Sequence, residues 1–113
     1  MTDHERQAIT AKLVEQGFWE TDEPGDPVGD YHDAKTLHAR VGARLVGDAF
    51  VVSTNLSSHS SARRVMILRG EHIYPLGDAG NYPESICLAA LALPRFLEEH
   101  PECAAAQARG CKT

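Results

Sequence analysis

Apolar residues recur along this chain in two rhythms, and the switch between them divides it into elements. Ile9 and Leu13 stand at helical spacing, with Val14 beside Leu13 and Gln16 one turn on. Thr2 and Glu5 precede them as a capping box, in which each side chain serves a backbone N–H of the other residue. Gly17 supplies a left-handed stop, and Phe18 can fold back on the last turn. These signals predict a helix over residues 3–16. A second ladder, Ala34, Leu37, Val41 and Leu45, follows Asp30, which suits an N-cap. Lys35, Arg40 and Arg44 fall on its other side. This helix is expected to end at Gly47, with Gly42 marking either close packing or an earlier end.

The rhythm then changes. Ala49-Phe50-Val51-Val52-Ser53-Thr54, Arg63-Arg64-Val65-Met66-Ile67-Leu68-Arg69 and His72-Ile73-Tyr74-Pro75-Leu76 are short and rich in strand formers. The polar, serine-rich residues 55–62 form a loop between the first two, and Gly70-Glu71 a tight turn between the last two, making a hairpin. Pro75 has no N–H for a ladder, so its strand belongs at a sheet edge. After a turn over 77–81, the run from Pro83 to Leu93 is almost wholly apolar and predicts a central helix packed on the sheet. Pro83 fits its first position and Glu84 favours the positive end of the dipole. Pro94 is expected to kink or break it. Residues 95–99 continue helically, Pro101 resets the chain, residues 102–109 form a helical tail, and 110–113 fray. The expected fold is α+β: a small antiparallel sheet of three strands covered by helices, in the order α-α-β-β-β-α, as a single domain over residues 1–113.

Composition adds limits. The 113 residues suffice for a core without staples, and the chain has no internal repeat. No apolar run is long enough for a membrane span. Residues 1–5 lack a basic stretch followed by an apolar one, so no secretory signal is expected, and Cys87, Cys103 and Cys111 read as reduced thiols in a cytoplasmic setting. Net charge is -5 and unevenly spread. Residues 1–33 carry nine acids and two bases, 34–70 one acid and six bases, and 71–113 six acids and three bases. That polarity either complements neighbouring elements within the fold or steers an oppositely charged partner.

Residues 20–30 concentrate the acids Glu20, Asp22, Glu23, Asp26 and Asp30 among two prolines and two glycines. The segment reads as a solvated, mobile loop. Its acids lack the spacing of a calcium loop. They can imitate a phosphate backbone and occupy a basic site on a target, or simply solubilise the chain. Trp19, at the edge of this loop beside Phe18, is a core plug or an interface anchor. His59, between serines in the 55–62 loop, stands just ahead of Arg63 and Arg64. Together the three could grip a phosphate or an acidic partner. Trp19, Asp22, Glu23, Asp26, Asp30, His59, Arg63 and Arg64 are therefore the candidate partner-binding residues.

No catalytic set stands out. Cys87 sits one turn inside an apolar helix, and no His or Asn follows in a recognised arrangement. His100 and Cys103 form one short metal-ligand pair, with Cys111 as a third donor, whereas structural zinc takes four. Gly25, Gly29 and Gly42 form no phosphate loop. A sequence pI near 5.6 disfavours direct nucleic-acid binding by the whole domain. Neither a cofactor nor a metal is expected.

The order of elements, and above all Ser85-Ile86-Cys87-Leu88-Ala89-Ala90-Leu91, resembles the small phage proteins of the phage ABA sandwich domain family over roughly residues 28–97. Those proteins carry a similar Ala-Ile-Cys-Arg/Leu-Ala-Ala-Leu motif. The resemblance transfers no catalytic residue. It implies a phage or prophage origin, action in the host cytoplasm, and work by binding host proteins, including defence complexes. The expectation is thus a non-catalytic phage-type protein that binds and inhibits a host macromolecular target, such as a bacterial defence complex in the manner of an anti-CRISPR protein. Two alternatives remain: a sequesterer of a small phosphorylated or nucleotide ligand built on the basic middle, and a small enzyme using Cys87 or His59. A homodimer through a free strand edge or the tail helix is also open.

Overall fold

The computed structural model describes residues 2–105. Its elements follow the expected order: α1 (Asp3–Glu15), α2 (Tyr31–Gly42), β1 (Ala49–Asn55), β2 (Arg63–Arg69), β3 (His72–Ala79) and α3 (Tyr82–Glu99), closed by a 3-10 turn at Pro101–Cys103. This is an α+β fold. Both legs of the capping box form at the start of α1, each 3.1 Å long. At its end the Phe18 N–H donates to Leu13 O at 2.9 Å and the Gly17 N–H to Val14 O at 3.0 Å. With Gly17 at φ 81°, this is a Schellman stop, and it swings Phe18 into the core. Asp30 caps α2 through the Asp33 N–H, and Asn81 caps α3 through the Glu84 N–H, both at 3.0 Å. The cap at Asn81 starts α3 at Tyr82, one residue before Pro83.

The three strands form an antiparallel meander in the order β1-β2-β3. Opposed residues share a face, so the register sorts the side chains into two layers. Val51, Ile67 and Tyr74 form one row of the inner face, and Ser53, Val65 and Gly77 the next. A bulge between these rows leaves Leu76 as the extra residue of β3, and its side chain packs on the core. The inner face is covered by α3, whose Ile86, Ala89, Ala90 and Leu93 are fully buried, and α1 and α2 pack against α3 in turn. Small residues on α3 let it lie close to the strands. At Gly77 a Cβ would stand 2.7 Å from Ser85 O and 2.8 Å from Ala89 N.

Four details decide between alternatives of the sequence reading or correct it. Helix α2 ends at Gly42, before Gly47. Leu45 is buried, yet it lies on extended chain bridged to Ala104, where the Val46 N–H donates to Cys103 O at 2.8 Å and the Ala105 N–H to Arg44 O at 2.9 Å. A pairing partner from the end of the chain thus replaces the helical bonds. That bridge also rules out a helical start to the tail: residues 101–103 make one 3-10 turn and Ala104 is extended; the rest of the expected tail lies outside the described residues. Pro94 does not break α3, which runs for 18 residues through it, held on either side by buried Leu93 and Phe96. Finally, strand β3 reaches Ala79 instead of stopping at Leu76, because its partners on β2 extend back to Arg63.

Candidate functional site

The acidic segment 20–30 is folded down onto the body. Pro27 and Val28 are buried in the core, which corrects its reading as a solvated loop. Glu23 accepts one hydrogen bond from Nη1 and one from Nη2 of Arg40, at 2.8 and 2.7 Å. This bidentate bond holds its carboxyl below the usual range. Asp26 accepts from the Val28 and Gly29 N–H groups at 3.2 and 3.0 Å, while Asp33 accepts from the Asp26 N–H at 2.8 Å. With Asp30 spent as a cap, three of the five acids serve this chain's own backbone or Arg40. Asp22 and Glu20 remain exposed.

Trp19 is 3% exposed and lies in the core cluster, with the Arg40 guanidinium 4.8 Å from its ring centroid. It is the core plug of the two readings, so its ring is not available as a surface anchor.

Arg63 and Arg64 are neighbours in sequence and therefore point to opposite faces of β2. Arg64 lies on the outer face in a bidentate pair with Asp78, both bonds 2.9 Å. The pair holds the Asp78 carboxyl low. Arg63 points to the helical side, donating to Asn55 Oδ1 at 2.6 Å and lying 6.0 Å from the Tyr82 ring centroid. His59 sits in the loop of residues 56–62 between β1 and β2, exposed, and its N–H donates to Ser57 Oγ. The structure thus gives the two arginines separate surroundings instead of one grip.

Cys87 is fully buried. Burial, reinforced by the charges of Asp26 and Glu84, pushes its thiol up to about 12, the opposite of what a nucleophile needs. Cys103 is also buried, and burial raises its thiol too. His100 packs among Tyr74 and Phe96, with ring centroids 4.6 and 4.9 Å away. Among the described residues no three His, Cys, Asp or Glu side chains stand together as a metal cluster. Cys111 lies outside the described residues.

Two features were not singled out from the sequence. The first is the outer face of the sheet. The register places Phe50, Leu68 and Ile73 in one row across all three strands and Val52, Met66 and Pro75 in the next. Phe50 and Ile73 are 63% and 62% exposed. None of these six side chains packs on the core, and the helices lie against the other face. The signal was present in the strands as runs that are apolar at consecutive positions, such as Val65-Met66-Ile67-Leu68. Such runs mark strands with two apolar faces, whereas a half-solvated strand alternates.

The second is a cleft of about 400 Å3 between α2 and β1, closed by Tyr82 and Arg63. Its floor is His38, whose Nε2 lies 3.1 Å from Val51 O and whose Nδ1 lies 2.8 Å from the Tyr82 hydroxyl. A carbonyl only accepts, so Nε2 carries the proton, and in a neutral ring Nδ1 accepts from Tyr82. Burial pushes the Tyr82 hydroxyl up to about 12, which keeps that donor in place. Spacing along the chain could not show this site, because its residues come from four elements.

No family model, curated protein or solved structure matches the chain.

Proposed function

We propose that this protein works by binding a macromolecular partner, without covalent chemistry of its own, and that the outer face of the sheet is where a protein docks. The observation that carries this reading is the double row Phe50, Leu68, Ile73 and Val52, Met66, Pro75, apolar throughout and not packed on the core. A contiguous apolar patch of this kind marks an interaction surface. Its occupant is a protein surface that is itself apolar, because the charged groups at this end of the face, Arg64 and Asp78, already neutralise each other. Three strands of about seven residues give a face of roughly 23 by 14 Å. That is smaller than a standard interface, so the apolar rows act as the centre and polar residues around them as the rim.

The most concrete partner is a host defence complex of the CRISPR type, inhibited by occupation. That choice rests on the resemblance to small phage proteins. The buried thiols of Cys87 and Cys103, raised rather than lowered, support a non-catalytic mode.

The test is a plating assay in a host whose CRISPR immunity targets an infecting phage. Expression of the protein restores plaques, and Phe50→Asp or Ile73→Asp abolishes the rescue while the circular dichroism spectrum stays unchanged. Unrestored plaques overturn the defence target; rescue by folded Phe50→Asp and Ile73→Asp overturns the sheet face as the docking site.

A further inference from the structure

We propose that the cleft between α2 and β1 binds a small anion that carries a planar ring, of about the size of a mononucleotide. This goes beyond the sheet-face reading and stands on a different side of β1. Charge is the first argument. In a chain of net charge -5, Arg40, Arg64, Arg69 and Arg95 are all paired with carboxylates. Lys35 and Arg63, which flank the cleft, have no carboxylate within 4.0 Å among the described residues, although one Arg63 N–H reaches Asn55. Arg6, Lys12 and Arg44 likewise have no carboxylate within 4.0 Å among the described residues, but they lie away from the cleft. Lys35 and Arg63 share its rim, where two cations without acids form a local positive field suited to an oxyanion. A guanidinium presents five donors in a fork, so Arg63 keeps N–H groups for a phosphate or carboxylate after serving Asn55.

The aromatic walls are the second argument. Tyr31 and Tyr82 stand with ring centroids 5.1 Å apart, tilted by 48°. Lys35 Nζ lies 5.6 Å from the Tyr31 centroid, and the Arg63 guanidinium 6.0 Å from that of Tyr82. Tyr31 is 55% exposed, so a ring entering the cleft gains a stacking surface without displacing the core. The third argument is Ser53. Its Oγ is buried and has no hydrogen-bond partner, and it lines this cleft. A buried hydroxyl without a partner costs stability, and a turn of the Ser53 side chain toward the cleft on binding would let a ligand oxygen or ring nitrogen satisfy it. A volume of about 400 Å3 falls within the range of small-molecule sites.

Calorimetry and amide chemical shifts on the purified full chain test the proposal. The probes are the four common nucleoside monophosphates, 4-hydroxybenzoate and inorganic phosphate. The expected result is binding of at least one ring-bearing anion, phosphate or carboxylate. Lys35→Ala and Arg63→Ala each weaken it about tenfold or more, shifts centre on Ser53 and Tyr82, and Arg95→Ala leaves it unchanged. The nucleotide and hydroxybenzoate arms distinguish the two sources of the anion. Silence from every ring-bearing probe up to about 5 mM, inorganic phosphate binding as tightly as the best of them, or binding indifferent to folded Lys35→Ala overturns the proposal. If Arg63→Ala fails to fold, Lys35→Ala and the shift map decide. No macromolecule enters this assay, so its outcome is independent of the sheet face.

Discussion

The Oγ of Ser85 donates to the carbonyl oxygen of Gly77 at 2.7 Å and also lies 3.2 Å from the carbonyl oxygen of Arg63. Ser85 is fully buried, so one hydroxyl on α3 faces backbone acceptors of two adjacent strands where helix and sheet come closest. Gly77→Ala would place a Cβ against the Ser85 and Ala89 backbone, and neither can yield without moving the helix. Overpacking of this kind costs about 1–3 kcal/mol. Ser85→Ala keeps the space and loses the donor, at about 1–2 kcal/mol. Urea unfolding followed by circular dichroism measures both, and a Gly77→Ala midpoint equal to that of the original chain would contradict the close approach.

The two faces of the sheet respond differently to substitution. Ile67 on the inner face is fully buried, and Ile67→Ala is expected to cost about 2–5 kcal/mol. Phe50 on the outer face is mostly exposed, and Phe50→Ser changes the stability of the isolated chain by no more than about 0.5 kcal/mol. The pair of midpoints reports whether the outer rows are structural or reserved for a partner. A large loss at Phe50 would place that ring in a covered layer.

Acid should loosen the chain through Glu23 and Asp78. Both carboxyls are held below their ordinary values by a bidentate arginine, Arg40 and Arg64 respectively. The stability they contribute is fully present above the ordinary carboxylate range and is lost as pH falls through their lowered values. Glu23→Gln should therefore flatten the fall in unfolding midpoint below about pH 4. An unchanged slope in this variant would mean that Arg40 and Glu23 do not stay paired in solution.

Alkali acts on Cys87 with the opposite sign. Burial raises its thiol from the ordinary 9.0 to about 12, so the folded chain keeps the proton after the unfolded chain has lost it. The contribution is fully present below the ordinary value and declines as pH rises toward the folded one. At pH 8 a thiol reagent should label Cys87 only after unfolding, as peptide mapping with and without urea will read. Rapid labelling of the folded chain at Cys87 would show that the helix opens.

Much of the fold was legible because its signals are local. Thr2 with Glu5, and Asp30, act within one turn of themselves, and Gly17 acts through its own φ, so their types and spacing suffice to mark helix ends. Asn81, by contrast, reads in sequence as part of a turn, yet it caps α3 and moves its start ahead of Pro83. The strands were legible from their composition, and Gly70 from the turn it makes at φ 61°. The surface was less legible. Arg63 and Arg64 look like one basic pair in sequence, yet alternation along β2 sends them to different faces. Glu23 looks free in an acidic loop until Arg40 is folded against it.

The sequence by itself determined which segments are helix or strand and in what order, since those choices rest on caps, turns and apolar periods a few residues long. Only the tertiary structure decided that Leu45 pairs with Ala104, that Pro27 and Val28 enter the core, that Lys35, Ser53, Arg63 and Tyr82 meet around one cleft, and that the outer rows of the sheet stay uncovered. Each of these depends on segments distant along the chain. Their meeting is fixed by how the helices and the sheet bury their larger apolar faces, a condition no short window of residues contains.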